Sequence, residues 1–195
     1  NASGSALIKT PNLDRIAARG TTFDRAYCQQ AVCSHSRSSL MTGRRPDATR
    51  VWDLKTHFRT ALPDAVTVAQ HFKNQGYHSQ GMGKIFHGGF DDAPSWSVPW
   101  QTPKAPPYGS AEAMKLQSTN VDQKGRGRGP AYESADVPDT TYRDGHNTAG
   151  AIAHLKRFAK TPDKPFFLAL GLYKPHLNFV APKKYWDLYD PAKLP

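Results

Sequence analysis

An apolar run over residues 165–173 places the tightest limit on the fold of this chain. Its sequence, Pro-Phe-Phe-Leu-Ala-Leu-Gly-Leu-Tyr, is much shorter than the roughly 20 apolar residues of a membrane-spanning helix. A continuous apolar segment of this length, preceded by a helical pattern over about 148–158, is typical of a buried strand in a parallel sheet. We therefore predict a buried strand over 166–172 and an α/β layered fold with a mainly parallel sheet flanked by helices.

Other local patterns supply the helices and strands that such a fold needs. Thr10 and Pro11 mark a helix start, because a hydroxyl caps the first turn and proline suits its first position, and Gly20 ends that helix. The other predicted elements are strand 21–27, helix 34–42, helix 67–76, strand 77–82 and helix 148–158. The spacing of Cys28 and Cys33, five residues apart, permits a disulfide. We expect instead that Cys28 is a small core residue on the strand that leads into the loop.

Residues 88–138 differ in character from the rest of the chain. Proline, glycine, serine and isolated aromatic residues dominate them, and no hydrophobic period persists. Long irregular segments inside a compact domain are usually functional or mobile. We therefore expect this segment to be irregular and either functional or mobile.

The chain carries an excess of positive charge, with 26 Lys and Arg against 16 Asp and Glu and a formal net charge of +10. Such an excess favours polyanionic partners, among them sulfated polysaccharide and nucleic acid. A piece of a protein whose acidic part lies elsewhere would show the same excess. The basic run over residues 123–130 resembles Arg-Gly segments that contact nucleic acid, but it is short and lacks an aromatic stacking platform. Nucleic acid is therefore the less favoured partner.

Cys33 lies at the expected start of helix 34–42 and is the strongest candidate for chemistry. The first N–H groups of a helix have no partners within it and the helix dipole is positive there, so this position suits a reactive or modified side chain facing an anion. Arg37 lies one helical turn further on, on the same face. A phosphatase-type thiolate does not fit, because Cys-x5-Arg spacing would need arginine at Ser39. An inert buried cysteine is the remaining alternative.

Three basic side chains are expected to lie near this cysteine. Lys84 and His87 follow one predicted strand, and His176 follows the apolar one. Side chains beyond the carboxyl ends of parallel strands converge at one edge of the sheet, where α/β proteins bind their ligands. The plain alternative for each of them is an ordinary surface residue.

The number of histidines suggests a zinc site, and the Asp91-Asp92 pair suggests another metal site, but neither fits the sequence pattern. The eight histidines show no recognisable zinc-ligand spacing. Asp91 and Asp92 follow a Gly-Gly-Phe loop rather than the end of an apolar strand. We therefore do not expect this aspartate pair to bind a metal ion.

The segment from Cys33 to Arg44 resembles the signature of the type I sulfatases, Cys-x-Pro-Ser-Arg followed by Thr-Gly. His35 stands where that family has proline or, less often, alanine. Further blocks with the order and spacing of the iduronate-2-sulfatase branch of the family are residues 81–87, 165–171 and 174–176. The resemblance covers nearly the whole chain and implies an alkaline-phosphatase-like fold. It also implies that the segment at about 88–138 forms loops over the active site and faces the substrate.

The resemblance implies a sulfuric ester hydrolase that removes sulfate from a sulfated sugar or polysaccharide. A formylglycine-generating enzyme would oxidise Cys33 to formylglycine, whose hydrate is the nucleophile and a ligand of a divalent cation, calcium. Arg37 would hold the nucleophile's oxygens or the sulfate, and Lys84 would contact the sulfate. His87 would be the base for the formylglycine hydroxyl, and His176 would bind or protonate the leaving oxygen. A catalytically silent glycan-binding homologue and a phosphoesterase are the alternatives.

The resemblance also bears on how much of the domain this chain represents. The family carries an Asp-Asp pair before the first helix, and an Asp-His or Asp-Asn pair and a lysine after the Lys-Pro-His block. We therefore expect residues 1–195 to be an N-terminal part of the catalytic domain, inactive by itself, with the carboxylate ligands of calcium mostly outside it. The implied location is periplasmic or extracellular, or lysosomal in a eukaryote, although no signal peptide or membrane span is visible.

Overall fold

The computed structural model describes residues 4–5, 7–102 and 104–193. The chain divides into two compact units. The first comprises residues 1–28 and 189–195, and the second comprises residues 29–188. All five candidate site residues belong to the second unit.

Short helices and strands alternate along the chain. In chain order they are α1 (Pro11–Ala17), α2 (Cys33–Thr42), α3 (Pro46–Thr49), α4 (Val68–Asn74), β1 (His78–Gly83), α5 (Ala111–Thr119), β2 (Tyr132–Ala135), α6 (Arg143–Phe158), β3 (Phe166–Gly171), β4 (Phe179–Pro182) and α7 (Lys183–Trp186). Short 3₁₀ helices cover Phe58–Thr60, Ala93–Ser95 and Pro191–Lys193. None of the helices in the described part of the chain is long and apolar enough to cross a membrane.

β1 and β3 form a parallel pair whose two strands end at the same level. The register runs from His78 opposite Phe166 to Gly83 opposite Gly171. The backbone N–H of Lys84 continues the ladder by donating to the carbonyl of Gly171 at 2.8 Å. α4 and α6 pack against this pair, and β2 and β4 form a second parallel pair. The predicted α/β architecture, with parallel strands flanked by helices, is confirmed.

An apolar cluster holds the chain after β1 against α2. Its buried members are Met41, Val51, Phe58, Ala69, Ile85, Phe86 and Trp96. The rings of Phe58 and Phe86 stack with their centroids 5.9 Å apart. In β1, Gly81 lets the Trp96 ring approach the strand, since a Cβ there would lie 2.7 Å from that ring. Because burial of apolar side chains is the main stabilising contribution to folding, this cluster fixes residues 84–87 relative to α2.

A buried ion pair secures the same region. The Arg59 guanidinium donates to both carboxylate oxygens of Asp92, which also accepts from the hydroxyl of Ser95 at 2.5 Å. Burial alone would raise the pKa of Asp92, but the hydrogen bonds from Arg59 and Ser95 outweigh it and lower the pKa. The neighbouring Asp91 accepts from the indole N–H of Trp96 at 2.9 Å. Both aspartates therefore have structural partners within the protein.

Replacing Asp92 by asparagine should lower the free energy of unfolding by roughly 2–4 kcal/mol, because Arg59 would keep its charge without its carboxylate partner. The Asp92 carboxylate contributes fully to the free energy of unfolding above its ordinary pKa of 3.8. This contribution is lost as the pH falls through the lowered pKa of the folded state. Denaturant unfolding at several pH values checks this, with Asp163→Asn as a control at an exposed site. Equal stability of the Asp92 variant and the parent at pH 7 would contradict the account.

The predicted strand over residues 21–27 is wrong. Those residues form no strand in the described structure. An alternating pattern becomes a strand only where a neighbouring strand supplies hydrogen-bond partners, and none pairs with this segment. Cys28 is correspondingly exposed rather than part of a core.

Three features of the second unit also differ from prediction. α6 begins at Arg143, earlier than the predicted start at 148, because its first turn is polar and lacks the apolar period that marks a helix in sequence. β3 is partly exposed rather than buried, with Phe166 and Leu170 at 38% and 37% of their full exposure. The segment 88–138 contains α5 and β2 and is irregular only in part.

Candidate active site

The first turn of α2 presents Cys33. Val32 is extended, and Cys33 is the first helical residue. The first helical hydrogen bond runs from the N–H of Ser36 to the carbonyl of Val32 at 3.0 Å. The N–H groups of residues 33–35 therefore have no acceptor within the helix, and the positive end of the helix dipole lies at Cys33. The helix predicted to begin here is confirmed.

Cys33 and His87 are in direct contact. The Sγ atom of Cys33 lies 3.1 Å from Nδ1 of His87, and both side chains are partly buried. If Cys33 were oxidised as the resemblance implies, Sγ marks where an oxygen of that side chain would lie. His87 is therefore within reach of a proton on that oxygen.

Arg37 connects α2 to the chain that follows β1. Its Nη1 donates to the backbone carbonyls of Lys84 and Ile85, the latter at 3.1 Å. Burial lowers the pKa of Arg37, and the nearby Cys33 thiol opposes that shift. The guanidinium stays charged, since arginine is not deprotonated in proteins. Arg37 therefore adds positive charge beside Cys33 and also positions Lys84, a role that the sequence analysis did not predict.

Burial and positive neighbours favour the neutral form of His87. Burial lowers the pKa of His87 below its ordinary 6.5, and the charges of Lys84, Arg37 and His176 lower it further. A neutral imidazole can accept a proton. Burial also lowers the pKa of Lys84, with the Cys33 thiol opposing the shift and Arg37 adding to it. His87 is therefore suited to act as a base in a site of positive potential.

A cavity of about 240 Å³ brings three of the predicted residues together. Its lining consists of Lys84, Phe86, His87, Gly88, Trp100, Arg143, Tyr173, His176 and Leu177. Lys84 and His87 follow β1 and His176 follows β3, so the shared level of the two strand ends explains why these residues meet. Cys33 and Arg37, both on α2, join these residues because Cys33 contacts His87 and Arg37 donates to the carbonyl of Lys84.

The turn that carries His176 is held by Asp144 and Lys174. The Asp144 carboxylate accepts from the backbone N–H groups of Tyr173 and Lys174 at 2.7 and 2.9 Å. The ammonium of Lys174 donates to the backbone carbonyls of His176, at 3.0 Å, and Asn178. Lys174 thus positions this turn. The Nδ1 of His176 lies 2.6 Å from the carbonyl of Leu177. Because a carbonyl only accepts, Nδ1 carries a proton, and Nε2 is left for a ligand.

Six lining residues were missed by the sequence analysis, among them Arg143, Tyr173 and Trp100. Arg143 was missed because the start of α6 was placed too late. Tyr173 ends the apolar run of β3, and its position immediately before Lys174 was the available signal. Trp100 lies in the segment treated as irregular, and its indole N–H donates to the carbonyl of Gly83 at 2.8 Å. That contact holds the part of segment 88–138 around Trp100 against the end of β1.

The described residues do not form a calcium site. No group of three or more His, Cys, Asp and Glu side chains among them is arranged to hold a metal ion. The side chains around Cys33 are basic, whereas calcium requires oxygen ligands, mainly carboxylates. Cys33 was expected to be a calcium ligand in its formylglycine form. The described residues supply no set of carboxylates that could bind the ion together with it.

Comparison with known proteins relates this geometry to a family. The sulfatase family profile matches residues 1–192. The iduronate 2-sulfatases of Mus musculus and Homo sapiens are 38% and 37% identical to the chain over 95% of its length. A sulfatase of Formosa agariphila is 33% identical over 93% of the chain. The chain spans 34% of the length of the first two relatives and 37% of the third.

A solved structure supports the fold independently. The phosphonate monoester hydrolase of Agrobacterium radiobacter matches 100% of this chain and 42% of its own chain with a TM-score of 0.61. At 19% identity the likeness shows the fold alone, and it confirms the alkaline-phosphatase-like fold expected from the sequence. With a family profile that matches nearly its whole length, the chain belongs to the sulfatase family.

Proposed function

We propose that the full-length protein containing this chain is a sulfuric ester hydrolase that removes sulfate from a sulfated sugar or polysaccharide. One observation carries the proposal. Cys33, at the positive end of α2, contacts His87 at 3.1 Å beside a basic cavity that His87, Lys84 and His176 line. Family membership adds the reaction class, because the relatives named above are sulfatases.

The reaction needs a nucleophile that can also release the sulfate it has taken up. Formylglycine made from Cys33 would supply a hydrated aldehyde, in which one hydroxyl attacks sulfur and the other allows sulfate to be released. Lys84 and Arg37 provide the positive charge that stabilises negative charge on the sulfuryl oxygens. His87, held in its neutral form, takes a proton at Nδ1.

His176 is the candidate for the leaving-group side of the reaction. It lines the same cavity as His87 and Lys84. Its Nδ1 donates to the carbonyl of Leu177 at 2.6 Å, so Nε2 is the atom left for the departing sugar oxygen. It would bind or protonate that oxygen in the imidazolium form, in which Nε2 also carries a proton. The contacts of Asp144 and Lys174 keep this turn in place while the substrate binds and leaves.

Several finer features are proposed from the family alone. They are calcium as the divalent cation, with carboxylate ligands from outside the described residues; a formylglycine-generating enzyme as the maturation partner; and a periplasmic, extracellular or lysosomal location. We also propose that residues 1–195 form an N-terminal part of the catalytic domain and that residues 88–138 face the substrate. Residues 1–195 expressed alone should then show no turnover.

Two other functions compete with this proposal. A phosphoesterase activity is suggested by the fold shared with a phosphonate monoester hydrolase. A catalytically silent glycan-binding role is suggested by His35, which departs from the family signature. Parallel assays of the full-length protein on matched aryl sulfate, phosphate and phosphonate esters distinguish these functions. We expect the sulfate ester to have the highest kcat/KM, and preference for a phosphorus ester or no turnover would overturn the proposal.

Replacing His35 by proline should raise the formylglycine fraction and the specific activity in proportion. Maturation acts on an extended segment, and proline fixes φ and restrains the preceding residue. The fold should tolerate the change, because His35 precedes the first helical hydrogen bond donor, Ser36. Moreover, Nδ1 of the buried His35 has no hydrogen-bond partner among the described residues.

Mass spectrometry and an activity assay on the same preparation check this prediction. His35→Ala is the matched control, since it removes the imidazole without fixing φ and should give a smaller gain. Full conversion with His35 in place, unchanged by the proline, would show that the family's proline is dispensable here.

A further inference from the structure

We propose that Arg143, stacked on Tyr173, forms a subsite for a second anionic group on the substrate, besides the sulfate that reacts. This inference rests on the proposed function. The ligand is an oxyanion carried by the same saccharide, either a carboxylate or a second sulfate. The substrate class is accordingly a sugar or oligosaccharide with at least two negative charges.

Arg143 and Tyr173 lie where two cavities meet. The cavity of about 240 Å³ that contains Lys84 and His87 shares Arg143, Tyr173 and Leu177 with a second cavity of about 260 Å³. The second cavity extends to prolines 106 and 107, Gln117 and Asn178. Each cavity is smaller than a typical ligand pocket of about 300–1,000 Å³. A saccharide larger than one cavity would therefore pass Arg143 on its way into the other.

The charge of Arg143 is not neutralised within the protein. No carboxylate in the described part of the chain forms an ion pair with it. The adjacent Asp144 is already engaged, because its two oxygens accept from the backbone of Tyr173 and Lys174. Lys174 is itself held by two backbone carbonyls. Arg143 is exposed and keeps its guanidinium donors available for a ligand.

Aromatic stacking and a buried network orient the arginine. The guanidinium carbon of Arg143 lies 5.3 Å from the centroid of the Tyr173 ring, a cation–π geometry. The preceding Tyr142 is 4% exposed, and its hydroxyl donates to Glu133 at 2.7 Å. Glu133 also accepts from the N–H groups of Gly109 and Ser110 at 2.6 and 3.0 Å. The start of α6 is therefore fixed before substrate binds, which lowers the cost of binding.

The chemistry of the pair suits an anionic sugar. A guanidinium offers a planar fork of donors that matches two oxygens of a carboxylate or sulfate. The apolar parts of Tyr173 and Leu177 can cover the face of a sugar ring next to that anion. Lys84, on the other side of the shared wall, stays available for the reacting sulfate.

The test compares substrates that differ only in their second charge. Arg143→Gln and Arg143→Lys are made in the full-length protein, with Lys156→Gln as the matched control, because Lys156 is an exposed cation on the same helix that lines neither cavity. The probes are 4-methylumbelliferyl sulfate and two sulfated disaccharides. One disaccharide bears a carboxylate as its second anion, and the other bears a second sulfate.

We expect Arg143→Gln to lower kcat/KM for one or both disaccharides by about 10- to 100-fold, the effect of losing a charge-assisted hydrogen bond. The loss should lie mainly in KM, and the aryl sulfate should be little affected. Arg143→Lys should recover part of the loss. Comparing the two disaccharides identifies the anion, and Lys156→Gln should behave as the parent.

Binding of the same disaccharides to the Cys33→Ala protein, measured by calorimetry, gives a readout that does not need turnover. If this affinity depends on Arg143 while the parent protein, with Cys33 intact, hydrolyses no sulfate ester, the proposed function is overturned and the subsite is kept. An equal effect of Arg143→Gln on the aryl sulfate and the disaccharides, or no effect on any probe, would overturn the subsite.

Discussion

Replacing Cys33 by alanine in the full-length protein is expected to abolish sulfate ester hydrolysis, with a loss of at least about 10⁴-fold in kcat. Alanine cannot be oxidised to an aldehyde, so the site would lose its nucleophile. The fold should persist, because Cys33 is only partly buried and alanine favours the helix that it begins. Serine should have the same effect in a host whose maturation enzyme accepts only cysteine.

The chain supplies its own control for this experiment. Cys28→Ala removes the other cysteine, which is exposed, and should leave activity unchanged. Saccharide affinity and the thermal midpoint of the Cys33→Ala protein should match those of the parent. Near-normal turnover by that variant would mean that the nucleophile lies elsewhere.

Replacing His87 by glutamine should lower kcat by about 10²- to 10⁴-fold, the usual contribution of a general acid or base. Its Nδ1 is 3.1 Å from Sγ of Cys33, and burial and positive neighbours keep it neutral by lowering its pKa. Glutamine keeps much of the volume and a polar end but cannot accept a proton at neutral pH. The effect should appear in kcat more than in KM, because proton transfer belongs to the transition state.

His146→Gln is the matched control, since His146 is an exposed histidine on α6 that does not line the cavity of His87. Steady-state kinetics on one aryl sulfate suffices for both variants. Losses of equal size in the two variants would remove His87 from the proton-transfer role. A formylglycine fraction equal to that of the parent must accompany the result, so that a defect in maturation is not mistaken for one in chemistry.

The part of the site built on β1 and β3 could be predicted because local and topological rules agree there. A continuous apolar run predicts β3, and parallel pairing places the residues after both strands at one level. Lys84, His87 and His176 could therefore be grouped from the amino-acid sequence alone. The helix beginning at Cys33 was equally predictable from its position between a loop and a Thr-Gly stop.

Other parts of the structure depend on contacts that no local pattern reveals. Arg143 lies in the polar first turn of α6, and no apolar period predicts that the helix begins there. The burial of Tyr142 and the contacts of Asp144 determine this start. Glu133 is buried, yet its donors at Gly109 and Ser110 are more than 20 residues away in sequence. Strand 21–27 was predicted from alternation and from its β-branched and aromatic residues, and neither of these ensures a pairing partner.

The most direct test of the central claim is mass spectrometry of the tryptic peptide covering residues 26–37 from the full-length protein, purified from its natural source and alkylated. This peptide contains both Cys28 and Cys33, so each molecule carries an internal standard. We predict a population in which Cys28 is alkylated and position 33 has lost its thiol and carries an aldehyde that reacts with a hydrazide reagent. A preparation that hydrolyses sulfate esters while both cysteines are fully alkylated would contradict the formylglycine account.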